Sequence, residues 1–232
     1  MNGIYCGPPP VPRELWTSWN LDPVLIAALA CMAILLRRNR AGLVGVAVLA
    51  AAFVSPLCAL SSALFSARVV HHVLLVAVAA PLLAHALPGR RAGSIALPFA
   101  VSTAVLWAWH VPAAYDLALS HKGVYWIMQI TLTSSAVWFW RAALARDRAP
   151  VDALLYILAA FAQMGMLGAL LTFAPQQLYA AHAIAPLDWG FTPLADQQLG
   201  GLLMWVPAGL PYAVAAAYVA RGGWTRLRGA VS

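Results

Sequence analysis

Carboxylates are scarce in this chain. Seven Asp and Glu stand among 232 residues, all charged residues together make up 9%, and 63% of positions are hydrophobic. An ordinary soluble domain is about one quarter charged, so a free-standing soluble fold is excluded on composition. The formal net charge of +7 would suit a nucleic-acid partner only if the basic residues gathered on a polar domain. They sit instead in small groups at the ends of apolar segments, and no nucleic-acid partner is expected. Cysteine is also sparse: Cys6, Cys31 and Cys58 show no CxxC spacing and make no even set, which predicts no disulfide framework. Cys6, in YCGPPP, is expected as an exposed free thiol. HExxH, P-loop, dinucleotide-binding and nucleophile-elbow patterns are all missing, which removes the usual sequence grounds for hydrolysis or nucleotide chemistry. The chain therefore reads as a non-enzyme. The first 20 residues hold no apolar core, so no cleavable signal peptide is expected.

What remains is apolar sequence in runs of membrane length, about 20 residues each. Seven such spans are predicted, near 22–36, 42–62, 66–87, 95–119, 123–145, 152–173 and 197–220, the first of them short. The fold class is an all-α polytopic membrane bundle, with a tail at 1–21, one transmembrane domain at 22–220 and a second tail at 221–232. RRNR (37–40), GRR (89–91), RAALARDR (141–148) and RGGWTRLR (221–228) hold eleven of the fourteen basic residues, leaving Arg13, Arg68 and Lys122. If the basic loops are cytoplasmic, the amino terminus lies outside and the carboxyl terminus inside, the parity that an odd span count demands. Five of the six histidines, His71, His72, His110, His121 and His182, then map to the outer half, and His85 to the inner. His121 and His182 fall in loops and are expected to be solvated.

The most unusual stretch is SARVVHHVLL (66–75). At about 100° per residue, Arg68, His71 and His72 share one wedge of a helix, and an ionisable group facing lipid is costly, so all three are expected to point inward. In WAWHVPAAYD, His110 precedes Pro112, whose ring interrupts the helix and frees backbone beside an imidazole. In LADQQLGGLLMWVP, Asp196, Gly200, Met204 and Pro207 recur at helical spacing, and the glycine pair admits a close neighbour. Imidazoles and a thioether from separate helices suit copper better than magnesium or calcium. Asp196 and Gln197 have a simpler reading as caps of the last helix. Met128, Met164 and Met166 read as packing.

Several runs together carry a family likeness: WNLDP before the first span, SPLCALSSALFSAR with HH and VAAPLL through the second and third, WHVPAAYDLAL after the fourth and PLADQQLGGLLMWVP into the seventh. Over residues 16–220 the chain resembles the CtaG-like multi-span assembly factors of bacterial cytochrome c oxidase. The resemblance implies a protein of the bacterial inner membrane that supports copper delivery to the binuclear centre of oxidase subunit I, in concert with a periplasmic copper chaperone. His72, His110, Asp196, Gln197 and Met204 match the family pattern; with the polar constellation above, His72 and His110 are the candidate metal ligands, His71 and Met204 further candidates, and Asp196, Gln197, Arg68 and Asp116 supporting residues. Where the family shows HxxQH, Arg68 and His71 replace the first histidine and the glutamine, and only His72 matches. Gln129 stands where a second family histidine often lies. Alternatives stay open: a haem held by His72 and His110 with Arg68 on a propionate; a copper or proton transporter using Gln163, Met164 and Met166; or a scaffold, alone or as a homo-oligomer, that binds the oxidase through Gly165, Gly168 and Gly200.

Overall fold

Prolines 23, 56, 112, 150 and 193 each occupy the first turn of a helix, where a missing N–H leaves nothing unsatisfied. They punctuate a chain that is otherwise helical nearly throughout. The computed structural model describes residues 5–87 and 93–231, and no strand occurs among the described residues. The α-helices are α1 (Pro23–Leu36), α2 (Arg40–Phe53), α3 (Pro56–Ala63), α4 (Phe65–Val73), α5 (Ala80–Ala86), α6 (Ala96–Trp109), α7 (Pro112–Ser120), α8 (Lys122–Ala143), α9 (Pro150–Thr172), α10 (Pro193–Trp205) and α11 (Gly209–Val231). The expected basic segment GRR at 89–91 lies outside the described residues.

Three helical runs are long and apolar enough to cross a bilayer: Phe65–Ala86, Pro150–Thr172 and Pro193–Thr225. Two bent pairs raise the number to five, α2 with α3 at 48° and α6 with α7 at 75°. The second bend falls at His110 and Val111, next to the proline that predicts it. At 14 residues, α1 reaches only about 21 Å, short of the roughly 30 Å of a hydrocarbon core. α8 has the length but dilutes its apolar face with Gln129, Thr131, Thr133 and Ser134. Between α4 and α5 the helix widens into a π-helical turn, Leu74–Ala79. The loosened register frees the Val76 carbonyl, which accepts from Trp140 Nε1 at 2.8 Å.

α10 packs against α4 on one side and α9 on the other. The α9 seam is so close that a Cβ on Gly201 would meet the Gly168 carbonyl oxygen at 2.5 Å and the Thr172 nitrogen at 2.6 Å. One end of the bundle is closed by a cap of irregular segments. Trp189 Nε1 donates to Pro10 O at 3.0 Å, Asn20 Nδ2 to Phe53 O at 3.0 Å, and Tyr179 OH to His110 O at 3.0 Å. The structure corrects two expectations here. Cys6 is not an exposed thiol: it is buried and bonded to Cys58, tying the tail to α3. Among the described residues the free cysteine is Cys31. His182 is likewise buried in the cap instead of solvated, because the 174–192 segment folds back over α3 and α7.

Candidate functional site

Leu64 is extended and separates α3 from α4, so α4 begins with exposed amides and no capping side chain of its own. Asp196 of α10 supplies the cap. Its carboxylate accepts from Phe65 N at 2.6 Å, from Ser66 N at 3.2 Å and from the Ser66 hydroxyl. Gly200, one turn on, permits this approach, since a Cβ there would lie 2.5 Å from the Phe65 ring. With its start fixed in this way, α4 turns Arg68, His71 and His72 into the bundle, with exposures of 0%, 0% and 2%.

Arg68 donates from Nε to Ser61 O at 3.1 Å, and its guanidinium carbon lies 5.3 Å from the centre of the Tyr125 ring. His71 packs edge-on against Phe53, 4.8 Å between ring centres, and both its ring nitrogens are buried without a hydrogen-bond partner. His72 stands 5.7 Å from His71 and 6.3 Å from His110, again between ring centres. Gln129 donates from Nε2 to His72 Nε2 at 3.5 Å, a long contact, and its own Oε1 is buried and unpaired. At the bend between α6 and α7, His110 Nδ1 meets Leu106 O at 2.7 Å. A carbonyl only accepts, so Nδ1 carries the proton and Nε2 keeps a free lone pair. Helices α4, α6 and α8 thus bring His71, His72, His110 and Gln129 into one row.

The other candidates lie elsewhere and organise the cap. Asp116 accepts from Ala180 N at 3.1 Å and Ala181 N at 3.0 Å. Gln197 accepts from Leu178 N at 2.7 Å, and its amide group reaches toward Leu171 O and Gln176 O. Thr192, immediately before Pro193, is the residue that caps α10. Met204 is buried in the α9–α10 seam over Gly168. Met128 and Met164 are buried, whereas Met166 faces outward, as do His85 and His121.

Sequence reasoning missed His182 as a structural residue. Its Nδ1 meets Ala63 O at 3.2 Å and must donate there, so Nε2 accepts from Tyr115 OH at 2.7 Å. Both nitrogens are therefore used. Burial, reinforced by the Arg68 charge and opposed by the Ala63 carbonyl, lowers its pKa to about 3. The ring is neutral at any physiological pH.

A cavity of about 550 Å³ opens between α1, α2 and α8, walled by Leu25, Met32, Phe53, Trp126 and Gln129. It is almost wholly apolar, and Gln129 links it to the histidine row. Among the described residues, no three His, Cys, Asp or Glu side chains converge as a metal-holding group. The row can offer at most two imidazoles at a time to a metal ion, and no carboxylate.

A family model described as cytochrome c oxidase caa3 assembly factor matches residues 33–96 and 92–226. No curated protein and no solved structure matches the chain. The matched segments contain the capped α4, the bend at His110 and the α9–α10 seam, and on that match the chain belongs to the cytochrome c oxidase caa3 assembly factor family.

Proposed function

We propose that this chain crosses the bacterial inner membrane seven times, with its cap toward the periplasm, and supports copper delivery to the binuclear centre of oxidase subunit I. The seven passages are α1, α2 with α3, α4 with α5, α6 with α7, α8, α9, and α10 with α11. Two independent features support the orientation. The described basic segments at 37–40 and 141–148 join helix ends remote from the cap, in keeping with the positive-inside bias. The Cys6–Cys58 disulfide lies within the cap, and such bonds persist in oxidising compartments.

The observation that carries the copper reading is the 6.3 Å spacing of the His72 and His110 rings, presented by two different helices. Two metal–nitrogen bonds of about 2 Å each account for most of that distance. His110 Nε2 is free to ligate, and its Nδ1–H bond to Leu106 O sets the tautomer in the manner of a metal-binding histidine. Structural zinc asks for four ligands. A site of two imidazoles with His71 alongside suits Cu(I), a soft ion content with few donors, and a sparse donor set also lets cargo leave. Copper is here substrate, passed onward and not retained. The partners are the oxidase and a periplasmic copper donor, and the chain itself performs no bond-making chemistry.

Replacing His72 and His110 together with alanine is expected to leave the protein in the membrane while oxidase activity and oxidase copper content collapse. Normal copper content in oxidase from that strain would reject the site. A Soret band in protein from haem-replete cells would replace copper with haem as the ligand of the same pair.

A further inference from the structure

Arg68 is the residue that the copper reading uses least. It is wholly buried, and neither terminal guanidinium nitrogen makes a well-formed hydrogen bond. Arginine does not deprotonate in proteins, so the charge stays. All seven carboxylates of the chain lie among the described residues, and none is within ion-pair distance of it. Asp196 is committed to the amides of Phe65 and Ser66, Asp116 to those of Ala180 and Ala181, and Asp22 to Val24 N and the Tyr5 hydroxyl. Glu14 pairs with Arg13, and Asp147, Asp152 and Asp188 are exposed. The surroundings of Arg68 supply no counter-charge: the Tyr125 ring lies beneath it, the Tyr115 and Tyr125 hydroxyl oxygens face it as uncharged acceptors, and His71, His72 and His182 lie within electrostatic reach.

The neighbourhood offers the guanidinium uncharged acceptors and no anionic one. The guanidinium brings four terminal N–H bonds. The Tyr115 hydroxyl proton is committed to His182 Nε2. Tyr125 points its O–H at a weak acceptor, the disulfide sulfur of Cys6, at 3.4 Å. The cation–π contact offsets part of the cost of burial but supplies no counter-charge. Buried polar groups in native proteins find partners, and an intramembrane charge without one marks a binding site.

We infer that Arg68 is the receptor for a small inorganic anion of the halide class, chloride in the cell, held between its terminal nitrogens and the Tyr125 hydroxyl. Complete burial selects against the carboxylate of a partner chain or a bulky oxyanion, since neither reaches the guanidinium without opening the cap. A monatomic anion enters as the cap closes. Its place beneath the Cys6–Cys58 link also gives the tail a reason to be fastened there.

The test uses the full-length protein, purified in detergent with gluconate as the only added anion. Sodium chloride is titrated in at constant ionic strength, and the unfolding temperature and the ³⁵Cl NMR line width are followed. A saturable rise in unfolding temperature with saturable line broadening is expected, because a ligand that binds only the folded state stabilises it by mass action. Bromide is expected to substitute for chloride. Arg68→Lys should keep the response with a weaker midpoint, and Arg68→Gln should abolish it. Equal unfolding temperatures in chloride and gluconate for the unaltered protein, or an undiminished response in Arg68→Gln, would overturn the inference. If Arg68→Gln does not fold, anomalous scattering from bromide-grown crystals decides: a peak at the guanidinium supports the site, and its absence overturns it. Copper is no part of these readouts, so their failure leaves the proposed function standing.

Discussion

Asp196→Asn tests how the histidine row is positioned. The carboxylate uses one oxygen for Phe65 N and the other for Ser66 N and the Ser66 hydroxyl. An asparagine keeps one acceptor oxygen and turns an NH₂ group toward the remaining donor. At least one buried N–H is then left facing another donor, at a cost of about 1–3 kcal/mol. Removing a negative charge from the first turn of α4 adds about 0.3–1 kcal/mol, or somewhat more in so buried a place. Together the loss comes to roughly 1–4 kcal/mol. SDS titration of the purified protein, followed by tryptophan fluorescence, measures it. Asp152→Asn is the control, being an exposed acid in the first turn of α9, with an expected change within about 0.5 kcal/mol. If Asp196→Asn proves as stable as that control, the carboxylate does not hold α4 in place and the account of how Arg68, His71 and His72 are aimed fails.

The tail and cap give two further expectations. Cys6 and Cys58 are 52 residues apart, so the chain-entropy estimate for replacing both with serine is a loss of about 4 kcal/mol, an upper value for a bundle whose unfolded form stays in lipid. Alkylation under non-reducing conditions should label one thiol per chain in the unaltered protein, and three labelled thiols would refute the link. His182 sets a pH dependence. Its folded pKa of about 3 lies below the ordinary histidine value near 6.5, so the unfolded state binds the extra proton, and stability falls as pH drops through that window. At pH 5 the loss is about 2 kcal/mol relative to neutral pH. His182→Gln can make the same two hydrogen bonds without titrating, and its unfolding should lose that increment of pH sensitivity. An identical pH profile in the variant would count against the buried neutral ring.

The helices were legible because lipid leaves a chain few other ways to satisfy its backbone, so hydropathy and proline placement speak directly. The bend at His110 follows from Pro112 in the same way. The inward turn of Arg68, His71 and His72 follows from helical spacing and the cost of facing lipid. Asp196 was legible as a cap but not as the cap of α4. From sequence Asp196 and Gln197 read as caps of α10; in the structure Thr192 takes that place, and the close crossing at Gly200 reveals that the aspartate is spent on its neighbour. The Cys6–Cys58 bond was hidden by odd count and wide spacing, since nothing local to YCGPPP tells where the tail lands. His182 failed for the same reason: burial of a loop residue depends on how the loop returns. Gln129 was recognisable as a polar group in an apolar span and as the position of a family histidine, and the structure sets it against His72.

The buried histidines differ in how much of each ring is already committed, and that difference separates architecture from function. His182 has both nitrogens bonded and reads as structure. His110 has one bonded and one free, and His71 has neither. A buried polar atom without a partner costs about 1–3 kcal/mol, and replacing it with an apolar group of similar size relieves that cost. His71→Leu should therefore leave the protein as stable as before, or up to roughly 2 kcal/mol more so, since it meets the Phe53 ring and apolar neighbours. If His71 serves the transfer of copper, oxidase copper content should fall in the same strain. The two readouts move in opposite directions only when an unfavourable side chain is kept for what it does. Loss of stability in His71→Leu would show instead that the ring is structural, and the metal reading would contract to His72 and His110.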